Sequence, residues 1–501
     1  MDDLVPKLLT FPPVPSPAES LSDSQYDQSI RAISQLLTSA PPGKLGSGLS
    51  TGEDVFDILD PSTQSLAYLH ILCAHIEAAR SASKASPGSL PPAVLFGGRL
   101  WPRIVAFVEG FDPIQVRYAG SQFRFVLGVV TRGSRQTGQP MQAVSLLRSA
   151  ILRLDPTSST LTSTHHKFVR LCLTCKAFQQ ALPVLERTIY HLPVSMDKGA
   201  AARATRYLCS ETESSAIYLN PDHGLTMKLS SRDCLEYHLY GGMIYMGLKQ
   251  WERAMSFLEV VLLAPCTNVT SAIMVEAYKK WVLVGLLLSG RAPSLPKGMN
   301  KNMMRNIHAL AKPYDCLVEA FTSGRLFRLK GDIEEGQSFW LNDCNFGLVL
   351  QVYDAFRKFS VLRLANIYAA LPLTEVARRT SPDPSDLVEA ASYITRLIVS
   401  GELNATLTVP QDTTTPATLR FLSSSSVPRT EADVHYDLTT HKAELETILK
   451  HLQGSDHRLE ISKEYIDKLR VMKKQKEQET KAGVSGGQVT SEFDEDVMAD
   501  L

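Results

Sequence analysis

The chain has 501 residues, with 52 Lys plus Arg against 52 Asp plus Glu, so its formal net charge is zero. Hydrophobic residues make up 44% and charged residues 21%, a globular composition that excludes a mostly disordered chain. Neutrality also argues against whole-chain attraction to nucleic acid, which shows as a basic excess.

Residues 1–24 read as a mobile, Pro/Ser-rich tail. Met1-Asp2-Asp3 lacks the basic start of a signal peptide, and Pro12, Pro13, Pro15 and Pro17 break any apolar core there. The longest apolar run, Trp281 to Leu288, is far short of the ~20 residues that span a bilayer. Eight dispersed cysteines are therefore expected as reduced thiols, in the cytoplasm or nucleus. A helix is expected over Pro61–Arg80, where Leu66, Leu69, Cys73 and Ile76 fall on one face. Helical periodicity resumes at Arg99 and runs for about 250 residues.

Inside that stretch lies a repeat. In the unit Leu235–Pro265, Gly242, Tyr245 and Ala254 are followed by Leu258 and Val261. This resembles the tetratricopeptide pattern, in which small residues let two antiparallel helices pack closely. Partial matches at Ala143, Leu147, Ala150 and at Ala181, Leu185, Pro193 are in phase, with intervals of 38 (143 to 181) and 73 residues (181 to 254). They are about one and two repeat lengths.

The character then changes. A long helix is expected over Val349–Ala370, then a short one with Thr374 as N-cap, then one opened by Asp383-Pro384 and stopped by Gly401. Leu403, Ala405, Leu407 and Val409 alternate with polar residues as a strand, with Thr418–Leu422 as its partner. Helices followed by a two-stranded ribbon make a winged-helix-like module. Beyond a Ser/Pro-rich link, two amphipathic helices broken at Gly454 are expected. The first carries Leu438, Leu445, Leu449 and Leu452, and the second Ile461, Ile466 and Leu469. The end of the chain is acidic and expected to be disordered.

The fold class is thus mostly α: a TPR-like helical-repeat solenoid, a winged-helix module and C-terminal helices. The expected boundaries are 1–24 tail, 25–345 helical-repeat arm, 346–425 winged helix, 430–480 C-terminal bundle helices and 481–501 disordered acidic tail. No catalytic, cofactor or metal residue can be nominated. There is no His-x-His or His-Glu-x-x-His, no P-loop, no Gly-x-Ser-x-Gly and no dinucleotide turn. Cys172 and Cys175 have half-zinc spacing without a second pair, so buried structural thiols are expected. The adjacent His165-His166 is expected as a solvated surface pair. The basic stretch Lys468, Arg470, Lys473, Lys474, Lys476 is read as a solvated helix end. On the helix after Asp383, Arg396 stands against Asp383, Asp386 and Glu389, which argues against insertion into a DNA groove. The ribbon and the C-terminal apolar faces instead point to protein assembly. The candidate subunit-interface residues are Leu403, Ala405, Leu407, Val409, Leu438, Leu445, Leu449, Leu452, Ile461, Ile466 and Leu469.

Helical repeats, winged helix and C-terminal helices together resemble the PCI-domain family. The runs Tyr237 to Tyr245, Gly247-Leu248-Lys249, Glu252-Arg253-Ala254 and Glu276 to Lys280 resemble the COP9 signalosome subunit 3 branch of it, most specifically over about 200–425. That resemblance implies that the helical part of the PCI domain begins near residue 200. It implies a non-catalytic scaffold in a complex that removes the ubiquitin-like modifier Nedd8 from cullins, the isopeptidase being another, metalloprotease-type subunit. Partners would be other signalosome subunits and, through the complex, cullin–RING ubiquitin ligases, with no direct nucleic acid and no membrane. Same-fold alternatives are a proteasome-lid or initiation-factor subunit; the different-class alternative is a winged-helix nucleic-acid-binding protein.

Overall fold

The computed structural model describes residues 2–11, 22–46, 54–83, 89–193, 207–210, 215–265, 270–381, 383, 385–408, 417–422, 430–461 and 465–473. It divides into two compact units, residues 1–422 and 423–501.

The first unit is a succession of packed α-helices ending in a small sheet. It begins earlier than the proline content suggests. Val5–Leu9 is a helix, and Leu8 and Phe11 are buried, with the Phe11 ring 5.6 Å from that of Tyr26. The tail expectation therefore fails for residues 5–11, because Val5, Leu8 and Phe11 have a core to join. Pro12 to Pro17 lie outside the described residues. The next helix, Asp23–Ser39, opens with a capping box in which Ser22 and Gln25 satisfy each other's backbone N–H groups. The helix expected at Pro61 instead starts at Ser65. The Asp60 carboxylate holds the Ser62 amide and hydroxyl in a turn before it.

The repeat region packs as its small residues require. A Cβ on Gly241 would lie 2.6 Å from the Phe257 ring, one on Gly242 3.1 Å from Leu258, and one on Gly247 2.5 Å from the Phe178 ring. The helices Ser231–Gly247 and Trp251–Leu263 thus meet through glycine, with Ala254, Leu258 and Val261 fully buried on the facing side. Ala272–Ser289 covers the pair from beyond, and its Trp281 is one of the largest buried side chains.

One continuous apolar core runs from Val5 to Phe356, and a second from Val361 to Leu419. Both draw on the 20-residue helix Phe346–Ala365. Val349, Val352 and Phe356 enter the arm core, while Val361 and Leu364 enter the core of the terminal module. The two regions are therefore joined by an unbroken helix. Around its second half stand the helices Leu373–Thr380 and Leu387–Val399 and three short strands. The strands are β1 (Ala370–Pro372), β2 (Ala405–Thr408) and β3 (Thr418–Phe421). The sheet is antiparallel in the order β1-β3-β2, with Leu419 of β3 opposite both Leu371 and Leu407.

The expected two-stranded ribbon is thus three-stranded. β1 is too short for alternation to show, and Pro372 at an edge needs no ladder donor. Its formation also ends the long helix at Ala365 rather than residue 370. The N-caps differ as well. Pro372, without a side-chain cap, precedes Leu373–Thr380 in place of Thr374. Asp386 rather than Asp383 caps the next helix, accepting from the Glu389 amide at 2.9 Å. Asp383 instead holds the Ser385 amide and hydroxyl. Gly401 stops that helix with φ +74°, and the Glu402 and Leu403 amides both return to the Leu397 carbonyl.

In the second unit, Glu431–Ile461 is a single 31-residue helix. It passes straight through Gly454, where a break was expected. One glycine costs about 1 kcal/mol in a helix, too little to break a 31-residue helix whose preceding turns carry Leu445, Glu446, Leu449, Lys450, Leu452 and Gln453. Residues 465–473 are also helical.

Candidate assembly interface

The terminal module is held to the bridging helix by one buried cation. Arg357 donates from Nε to the Thr380 carbonyl at 3.2 Å and from its terminal nitrogen to Glu389 at 2.9 and 3.2 Å. Its guanidinium lies 4.1 Å from the centre of the Tyr393 ring. The Tyr393 hydroxyl in turn donates to the Asp354 carbonyl, and burial pushes this phenol up to about 12. Three helices are thus fixed by one planar, five-donor group. The acidity of the helix Leu387–Val399 is largely spent within the molecule: Glu389 on Arg357 of the bridging helix, Asp386 on its own N-terminus. Arg396 lies over the Tyr393 ring at 5.1 Å. Upstream, Arg378 and Arg379 both pair with Glu375.

The described strand residues proposed for contact share the inward face of the strand. Leu403 and Ala405 are buried in the module's own core, so they are structural and not contact surface. Leu407 is half-buried, and Val409 lies outside the described residues. The outward positions of β2 are Thr406 and Thr408. Alternation identified the strand correctly, but the apolar side of a strand packs on its own domain first.

The C-terminal helix is the opposite case. Leu438, Leu445, Leu449 and Leu452 are 54–64% exposed. Val434, Tyr436, Ile448 and Leu459 are exposed on the same helix. Beyond it, Leu469 is exposed and Ile466 half-buried, while the Ile461 side chain lies outside the described residues. So many large apolar side chains on one helix exceed the scattered exposure normal on a surface. Of the basic stretch, Lys468, Arg470 and Lys473 are exposed on the helical segment 465–473, and Lys474 and Lys476 lie outside the described residues.

The polar residues singled out for chemistry are structural. His165 is buried, not solvated. It closes a capping box with Thr162, and burial lowers it to about 4. His166 pairs with Glu236 at 3.0 Å, and Glu236 also accepts from Arg232. The pair diverges as helix geometry demands, but this helix has neighbours on more than one side. Cys172 is buried, and its thiol is raised to about 12 chiefly by that burial. Cys175 is half-buried, and both are free thiols. Among the described residues no cluster of three or more His, Cys, Asp or Glu could hold a metal ion, and no helix is long and apolar enough to cross a membrane. Arg357 and β1 escape sequence reading. The one distant signal was an arginine directly after Phe356 of the apolar stripe of the long helix.

Residues 28–303 match the family model described as COP9 signalosome complex subunit 3, N-terminal helical repeats. The chain is 33% identical to the COP9 signalosome complex subunit 3 of Emericella nidulans over the whole length of both proteins. It is 28% identical to that of Neurospora crassa, over 93% of this chain and 91% of the relative.

Proposed function

This chain belongs to the COP9 signalosome subunit 3 family, and from that premise we propose that it is a non-catalytic scaffold of a complex that removes Nedd8 from cullins. Membership makes it a signalosome subunit with other signalosome subunits as partners, and supersedes the proteasome-lid and initiation-factor alternatives. The finer reading concerns mechanism. The arm and winged-helix module are joined through one helix, and we take the module's sheet edge and the C-terminal helix as the surfaces that meet PCI-type and metalloprotease-type subunits. The isopeptidase belongs to another subunit in this reading, and cullin–RING ligases are reached through the assembled complex, in cytoplasm and nucleus.

The observation that carries this proposal is the exposed leucine face of Glu431–Ile461. Fully burying a leucine stabilises by about 1.5–3 kcal/mol, so covering half of one leaves roughly 1 kcal/mol per side chain. The nucleic-acid alternative has less support, because the acidic groups of the recognition-position helix already serve its own cap and Arg357.

The test is reconstitution with the other signalosome subunits, comparing the full chain, a truncation before Thr430, and the double variant Leu445→Asp, Leu449→Asp. These two leucines are exposed, so stability of the isolated chain should move by no more than ~0.5 kcal/mol each. A carboxylate forced into an apolar interface costs several kcal/mol, so incorporation should fall at least a hundredfold. Normal incorporation of both would refute the role of this helix. Recovery of proteasome ATPases or ribosomal subunits with the tagged chain would refute the complex.

A further inference from the structure

The sequence holds a 38-residue stretch, from Ala277 to Tyr314, without a single Asp or Glu. It carries seven lysines and arginines. Two of them are neutralised by carboxylates from outside it: Lys279 pairs with Asp343 at 2.8 Å, and Lys280 pairs with Glu276. The other five, Arg291, Lys297, Lys301, Arg305 and Lys312, are exposed, and none makes an ion pair among the described residues. Arg291 lies near enough to Arg363 to lower the latter, which burial also lowers more strongly. In a chain of zero net charge this is a concentrated local excess.

Two of these cations, Lys301 and Arg305, line a hollow of about 490 Å3. Leu295, Met299 and Met304 supply its apolar lining, and Lys301, Arg305 and His308 its polar side. Met304 is buried beneath it, Met299 is half-buried, and Leu295 is exposed. Methionine adapts to irregular apolar guests. His308 is tied to Asp315 at 2.8 Å, which leaves the two long cations facing out. Lys301 and Arg305 are four apart on the helix Lys301–Leu310, one above the other on a single face. Asn300 caps that helix, whose N-terminal dipole adds to the positive potential.

We propose that this hollow is a docking site for an acidic peptide segment of a partner protein, with carboxylates on Lys301 and Arg305 and an apolar side chain against Leu295, Met299 and Met304. Charge complementarity sets the sign of the guest, and the apolar floor sets its kind. Single-strand binders add rings on which bases stack to their basic grooves, and no Phe, Tyr or Trp lines the hollow. The site lies on the helical arm, so the proposal does not rest on the C-terminal helix or on its role in assembly.

The test uses the full chain and fluorescence anisotropy of three short labelled peptides. One is Asp/Glu-rich with two central leucines, one has Asn and Gln replacing the acids, and one keeps the acids with Ser replacing the leucines. The first should bind most tightly, and its affinity should weaken at least about threefold between 50 and 200 mM salt. Lys301→Glu with Arg305→Glu should weaken it about tenfold or more. Leu295→Ser should weaken it a few-fold and leave the serine peptide unaffected. All three substituted residues are exposed, and an unchanged thermal midpoint identifies a folded variant. Equal binding of the neutral peptide, or indifference to the charge reversals, would overturn the proposal. A single-stranded oligonucleotide that displaces the peptide at lower concentration, through the same two cations, would overturn it in favour of nucleic acid.

Discussion

The joint between arm and module is the sharpest place to test the structure, through Arg357. Changing it to Met keeps the stem and removes the guanidinium. Three interactions disappear. The buried Thr380 carbonyl loses its donor, which costs about 1–3 kcal/mol when a buried acceptor is left without one. The stacking on Tyr393 is worth ~1 kcal/mol in a partly desolvated site. The ion pair with Glu389 adds less than ~1 kcal/mol, because the Glu389 side chain is 38% exposed against 9% for Arg357. Against this, the variant no longer desolvates a cation, a gain that offsets part of the loss. The net is a local destabilisation of roughly 2–3 kcal/mol. Native-state hydrogen exchange reads it directly, since it reports the opening of separate segments. Amides of Leu387–Val399 should exchange about 30–150 times faster, with the helix Ser231–Gly247 unchanged. Arg357→Lys should fall between, having lost the fork and the stacking but not the charge. Glu389→Gln should cost less than ~1 kcal/mol. If Glu389→Gln is as damaging as Arg357→Met, the ion pair and not the carbonyl and ring contacts holds the module. If Arg357→Met leaves exchange unchanged, the anchor carries nothing.

Two further outcomes follow from the arm. Gly241→Ala should destabilise by about 1–3 kcal/mol, as overpacking does, because its Cβ would lie 2.6 Å from the Phe257 ring. Phe257→Leu should relieve this, giving a coupling of ~1 kcal/mol or more in urea unfolding, and simple additivity would show that the glycine contact is not the cause. Burial lowers His70 and His165 to about 4, so the unfolded chain binds more protons below its ordinary histidine value near 6.5. Stability is therefore at its full value above pH ~6.5 and falls as pH drops toward 4, by about 1.4 kcal/mol per unit for each group. His70→Met should remove about one proton from that slope, and an unchanged slope would show that His70 does not titrate on unfolding.

The leucine face at 438–452 was legible in the sequence because apolar residues along one helix recur at its own 3.6-residue period. The same holds for the repeat core: Gly242, Ala254, Leu258 and Val261 announce close packing before any partner is known, since only small residues allow two backbones so near. What sequence reading lost had its cause elsewhere in the chain. Leu403 and Ala405 read as a contact face, but which side of a strand is covered depends on the helices beneath it. His165 looked solvated because adjacent histidines diverge on any helix, and only the neighbouring helices bury one of them. Pro12 to Pro17 hid the helical segment before them, whose Leu8 is buried in the core and whose Phe11 meets Tyr26 of the helix that follows.

By itself, then, the sequence determined the zero net charge, the helical periodicity, the small residues that let two helices approach, and the apolar stripe near the C-terminus, because each is read from composition or local spacing alone. The tertiary structure alone decided that one helix serves two cores, that a three-residue strand completes the sheet, and that Arg357 links Thr380, Glu389 and Tyr393 across 36 positions (357 to 393). Those contacts join residues far apart in sequence, and the burial that gives them their energy exists only once the elements have packed.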